Sequence, residues 1–244
     1  MLYKISEMIK KIKSGINPKR SKYPYVCCPG CPGSYGLALD FVENFLCYCH
    51  TAEEEKLFLN YVIELIGRDI ETSVETLHVY KPEHKACCTD NPFPVYCADK
   101  PYVSIPLVNK ENKITIELGK NIVITEPWDL YLRLLPNLKN IKKNKFQYDR
   151  DNHNAVYYPY MNVCKVYSGN HSISCGKHFK NGTVEACVYD TETAFKYIDT
   201  DGKNWIFYKG YMQPQEVVDF RYALLFQIAK LLYNSEKENS TKES

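Results

Sequence analysis

The sequence predicts an α+β (or α/β) protein, and three observations carry that expectation. Apolar residues recur at helical spacing in the first quarter of the chain and again near its end. β-rich pieces separated by prolines and glycines fill the middle, and Met161 to Asp190 reads as strand, glycine turn, short helix, glycine stop and second strand. The expected organisation is a helical, Cys-rich region over 1–110, a mixed α/β domain with a closing helix over 111–234, and a disordered polar tail over 235–244. Hydrophobic residues make up 45% of 244, which is enough apolar material for a substantial core. Lys and Arg number 31 against 29 Asp and Glu, a net charge of +2, so no global field draws the molecule to nucleic acid or an acidic membrane. Any such contact needs a local patch.

Leu2, Ile5, Met8, Ile9, Ile12 and Ile16 recur at helical spacing, interleaved with lysines, until Gly15 and Pro18 stop the pattern. This is the pattern of a surface helix with one buried stripe. Lys4 and Glu7 interrupt the apolar run, which lacks the small-residue cleavage site of a secretory signal, and no stretch approaches the roughly 18 apolar residues that span a bilayer. A cytoplasmic protein without a membrane partner is expected. Eleven cysteines, an odd number in a long chain, suit reduced thiols or a metal site better than a disulfide framework. Cys28 and Cys31 have C-x-x-C spacing, and Cys47 and Cys49, with His50, offer the other corners of a structural zinc site; the competing reading is thiols that pack. Cys87, Cys88, Cys97, His78 and His84 form a second such group, though adjacent Cys87 and Cys88 would point apart in a strand.

From Thr51, an N-cap followed by acids, a helix with Leu57, Tyr61 and Leu65 on its apolar face is expected to stop at Gly67. The segment from Val74 to Val108 reads as short β pieces between proline turns, and KITIEL and NIVITEP flank Gly119 and Lys120 as a hairpin. A helix beginning at Pro127 or Trp128 is interrupted by Pro136. Lys139, Lys142, Lys143, Lys145 and Arg150 then make the one concentrated basic region, with Phe146 and Tyr148 among the charges. That combination holds nucleic-acid backbone and stacks a base, or forms a solvated basic loop. A last helix from Pro214 carries Val217, Phe220, Leu224, Ile228 and Leu231 as its buried stripe.

The chemistry suggested by the central stretch is that of an anion cradle. Gly169 permits a tight turn after a short apolar strand, and the backbone N–H groups opening the next helix face whatever sits there. Asn170, His171, Ser172 and Ser174 crowd the same helix start with imidazole, amide and hydroxyl donors, and Gly182 ends the helix before VEACVYD returns as a strand. This order resembles the second conserved box of the ParB/sulfiredoxin superfamily, where a GERR or GCHR sequence opens the helix and holds nucleotide phosphates. The resemblance covers residues 120 to 190 and rests on that one box. The string GNHSI is also similar to one in an uncharacterised bacterial and phage family, which lends no activity, although a host-defence role would fit a phage-like protein.

The resemblance implies a protein that binds nucleotide or nucleic-acid phosphate at Gly169 to Ser174, with His171 as main contact or acid–base group and Lys142 and Lys143 as a second wall. If catalytic, it implies nucleotide or phosphate-ester hydrolysis with Mg or Mn. Two departures limit it: Asn170 stands where sulfiredoxin has its nucleophilic Cys, and Ser172 stands where both subfamilies have Arg, a bidentate phosphate donor. One alternative joins His153, Asn170 and His178 as an HNH-type, metal-dependent nuclease. Another is a non-enzymatic interaction module, for which 21 tyrosines, including Tyr157, Tyr158 and Tyr160 around Pro159, would supply the surface.

Overall fold

The computed structural model describes residues 35–80 and 90–242. The expected helix over Leu2 to Ile16 lies outside the described residues, as do Cys28, Cys31, His84, Cys87 and Cys88. The chain is an α+β protein built on a five-stranded mixed sheet with helices on both faces.

Helix α1 (Tyr35–Leu46) buries Tyr35, Leu39 and Val42. Helix α2 (Ala52–Tyr80) starts where Thr51 Oγ1 accepts the Glu54 N–H at 3.1 Å, with Glu53, Glu54 and Glu55 on the positive end of the dipole. It does not stop at Gly67 but continues through Val74 to Tyr80, where short strands were expected. Glycine is required at 67 by packing: a Cβ there would come within 2.8 Å of Ile122 Cδ1 and 3.1 Å of Val163 Cγ1. The residue lets a helix lie close on a sheet.

Strands β1 (Tyr96–Lys100) and β2 (Val103–Pro106) form a small antiparallel pair. The main sheet is ordered β3 (Val108–Glu117), β7 (Thr183–Tyr189), β5 (Asn154–Tyr158), β6 (Val163–Ser168), β4 (Ile122–Ile124). β3 and β4 therefore lie at opposite edges and are not the hairpin that their proximity around Gly119 suggests. β4 is buried at all three positions and pairs in parallel with β6, whereas β3 is mostly exposed and pairs antiparallel with β7. A fully apolar short strand belongs where both sheet faces are covered.

Between the edges, a five-residue π-helical turn (Leu130–Leu134) leads into α3 (Leu135–Asn144). Pro136 sits in the first turn of α3, where no backbone donor is needed, so it does not interrupt the run. Helix α4 (Asn170–His178) joins β6 to β7, and α5 (Thr191–Tyr197) is capped by Asp190, whose carboxylate accepts the Thr193 N–H. Strands β8 (Ile198–Thr200), β9 (Asn204–Phe207) and β10 (Gln215–Glu216) make a three-stranded sheet before the closing helix α6 (Phe220–Lys242).

Helix α6 starts at Phe220, six residues beyond Pro214, and buries Leu225, Phe226, Ile228 and Ala229 among the groups of its first half. Residues 235–242 continue it as helix rather than as the expected disordered tail. Glu236 pairs with Lys56 at 2.6 Å, Ser235 bonds Glu55, and Lys237 lies by Glu192, so this polar stretch is held to α2 and α5. The core also runs across residue 110, since β3 spans that position and α1 and α2 pack on α6. One apolar cluster fills the space between the sheet and α1, α2 and α6; a second, with Val123, Val166, Ile173 and Val184, lies under α3 and α4. Many tyrosines are interior: Tyr158 is buried and shares a hydrogen bond with Tyr167, Tyr189 donates to the Pro94 carbonyl, and Tyr160 packs on Phe195 and Tyr233.

Gly67→Leu is expected to lower stability by about 2 kcal/mol through overpacking against β4 and β6. The check is a fall in the urea midpoint at unchanged slope.

Candidate phosphate-binding cleft

β6 ends at Ser168 and the chain turns at Gly169, whose φ of +82° and ψ of 19° are left-handed. A Cβ at this position would fall 2.3 Å from His153 Cδ2, so glycine is demanded by both conformation and space. Helix α4 follows with no side-chain cap, and its first turn, Asn170 to Ser172, opens on a cleft of about 700 Å³. The opposite wall is the face of the helical run 130–144 that carries Arg133, Asn137, Asn140 and Asn144, continued by Lys145. Lys145 ends α3 at φ +64°, with its N–H on the Ile141 carbonyl. Half-exposed Trp128 stands at the rim with the Arg133 guanidinium 5.1 Å from its ring.

The expected donors have other duties here. His171 is buried, and its Nε2 accepts the Asp129 N–H at 3.0 Å while the Trp128 and His171 rings pack edge to face. With that lone pair engaged, the neutral ring carries its proton on Nδ1, and Nε2 cannot serve as a base. Asn170 Oδ1 accepts the Glu126 N–H at 2.8 Å. These two side chains tie the segment 126–129 to the helix start. Ser174 lies around the helix and lines a different cleft with Lys177 and His178, and Lys142 and Lys143 are exposed on α3 without lining this one. Among the described residues, Arg133 and Lys145 are the cations on the cleft wall.

His153 and Ser172 lie 2.8 Å apart, the distance of a base and a nucleophile, but the proton order is reversed. The Asp149 N–H donates to His153 Nδ1 at 2.9 Å, so the neutral ring holds its proton on Nε2 and donates to Ser172 Oγ. The Ser172 hydroxyl in turn donates to the Gly169 carbonyl at 3.0 Å. This relay holds the turn and does not activate the serine. Burial, only partly opposed by the Asp149 charge, pushes the His153 pKa below its ordinary value.

His178 sits at the far end of α4, about 12 Å along the axis from Asn170 at 1.5 Å per residue, so the HNH set of His153, Asn170 and His178 does not converge. Cys175 is buried with its pKa raised to about 11 by burial, an unreactive thiol. Of the expected zinc ligands, Cys28 and Cys31 lie outside the described residues, while the thiols of Cys47 and Cys49 turn back to the Glu43 and Phe45 carbonyls of α1. Among the described residues no three His, Cys, Asp or Glu side chains gather as a metal site. No described helix is long and apolar enough to cross a membrane.

Sequence reasoning passed over Arg133, Asn137, Asn140 and Asn144. Their i, i+4, i+7, i+11 spacing marks one polar stripe of a helix, a signal hidden by reading Pro136 as a break.

The His153 relay predicts a pH dependence. The unfolded imidazole takes up a proton near its ordinary 6.5, and the folded one only at lower pH. Below about 6.5 the unfolded state therefore binds more protons, and stability falls with pH until the folded pKa is passed; above 6.5 both states are neutral and the contribution is constant. Urea midpoints measured from neutral pH downward should drop less steeply in His153→Gln than in the wild type.

No curated protein and no solved structure matches the chain. Over residues 8–239 the sequence matches the family of unknown function DUF6710, and the chain belongs to that family.

Proposed function

We propose that the cleft binds the phosphate of a nucleotide or of nucleic acid, with the start of α4 as its cradle. The observation that carries this reading is the uncapped first turn of α4 opening on the cleft opposite Arg133 and Lys145. Backbone N–H groups and the helix dipole favour an anion at that point, and a guanidinium and an ammonium across the cleft add charge-assisted donors. Trp128 at the rim offers a ring for base stacking, and the carboxamides of Asn137, Asn140 and Asn144 offer donors and acceptors for sugar or base edges. The resemblance to the ParB/sulfiredoxin box supports the same reading, since β6, Gly169, α4, Gly182 and β7 keep its order.

The reading is one of binding. His171 Nε2 and the Ser172 hydroxyl hold backbone groups, and Asp149 is the one carboxylate among the described residues lining the cleft. A Mg or Mn ion would thus arrive with the ligand's phosphates and not in a protein cage.

Titration calorimetry with nucleotides and a short single-stranded oligonucleotide tests it. Arg133→Ala with Lys145→Ala is expected to weaken binding by about 10- to 100-fold, the loss of charge-assisted hydrogen bonds, while Lys142→Ala with Lys143→Ala changes it less than about threefold. Affinity should fall as salt rises, with a shallower slope in the Arg133/Lys145 variant. Absence of binding to every phosphate ligand by folded wild-type protein would sink the proposal.

A further inference from the structure

Helices α1 and α2 turn a large apolar surface outward. On α1 and the turn after it, Leu37, Phe41, Phe45 and Tyr48 are 57, 58, 42 and 45% exposed; on α2, Leu57, Tyr61 and Leu65 are 74, 64 and 56% exposed. The two stripes are continuous, because Phe45 of α1 stacks on Phe58 of α2 with ring centroids 4.0 Å apart. Taking about 200 Å² for each large side chain, the exposed part comes to about 800 Å². That exceeds the roughly 300–600 Å² of the largest apolar patch on an ordinary monomer and equals one side of a standard protein interface.

We propose that this face pairs with a second copy of the chain, α2 lying antiparallel on α2 across a two-fold axis at Tyr61. The sequence of α2 is self-complementary about that residue. Leu57, Tyr61 and Leu65 follow each other at four-residue spacing and so share one ridge of the helix, the commonest ridge in helix–helix packing. Reversal about Tyr61 sets Leu57 against the partner's Leu65 and brings the two Tyr61 rings together. The same operation sets Glu54 opposite the partner's Arg68, which is also held in its own chain by Glu71, so opposite charges face each other at both ends of the ridge. Asp69 comes opposite the partner's Glu53, and Arg221, which it shares with Asp219, lies 2.8 Å away and offsets part of this like-charge pair. Phe41 and Phe45 flank the ridge and widen the contact to the size of a stable dimer.

Sedimentation of the full chain over about a hundredfold range of concentration around the micromolar tests this. The expected result is a reversible species of twice the 28.4 kDa chain mass. Leu57→Glu with Tyr61→Glu should raise the dissociation constant at least about tenfold with unchanged far-ultraviolet dichroism, while Ile206→Glu, an exposed apolar position on β9, should leave it unaltered. A chain that stays single at every concentration overturns the proposal, and so does a dimer that survives the double substitution.

Discussion

One largely buried ammonium holds the layers of this protein together. Lys177, near the end of α4, reaches through the sheet edge and meets Glu71 at 3.0 Å and Glu75 at 2.8 Å, both on α2, together with the Val123 carbonyl and the Thr125 hydroxyl at the end of β4. Glu71 also accepts the Val123 N–H at 2.9 Å and the Arg68 guanidinium at 3.1 Å. A helix from each face of the sheet is thereby tied to the shortest strand of that sheet. Placing these charges out of water is costly in itself, and the cage contributes through geometry more than through net energy. Removing Lys177 leaves Glu71 with Arg68 and takes the ammonium from the partly exposed Glu75, so the loss is smaller than the roughly 3–5 kcal/mol of a fully buried, isolated pair. Gly67 allows α2 to come close enough for Glu71 and Glu75, one and two turns farther along, to reach the ammonium.

The position of α4 is thus fixed at both ends. At its C-terminal end Lys177 anchors it to α2, and at its start the bonds of Asn170, His171 and Ser172 anchor the segment 126–129 and the turn at Gly169. A cradle made of backbone N–H groups works only if the backbone does not move, because the donors have no rotamers with which to adapt. Polar side chains that look like ligand contacts in the sequence serve here to immobilise the groups beside them.

Strand, turn and helix were legible from Met161 to Asp190 because the boundaries there carry their own chemistry: Gly169 for the left-handed turn and Gly182 for the return. The pairing of strands was not legible, since sequence proximity around Gly119 favours a hairpin, while the burial of Ile122, Val123 and Ile124 on both faces decides for an edge beside β6. Gly67 was misread for a related reason. A glycine in a helical pattern signals a stop by propensity, and only the sheet packed against it reveals that it is there for clearance. In the cleft, residue types were legible but their partners were not: nothing local in the sequence says that His171 faces the Asp129 N–H, forty-two positions away.

The charge balance of the chain bears on how such a cleft would meet its ligand. With a net charge of +2 the molecule generates little long-range field, and Arg133 and Lys145 act within a Debye length of about 8–10 Å. Their neighbours on the same wall are neutral carboxamides, and Asp149 offsets part of the positive charge. Such a cleft holds an anion after contact and does little to steer it from a distance, so recognition depends on the fixed geometry of the α4 start. That geometry rests on Gly169, on the His153 relay behind it, and on the Lys177 cage at the other end of the helix.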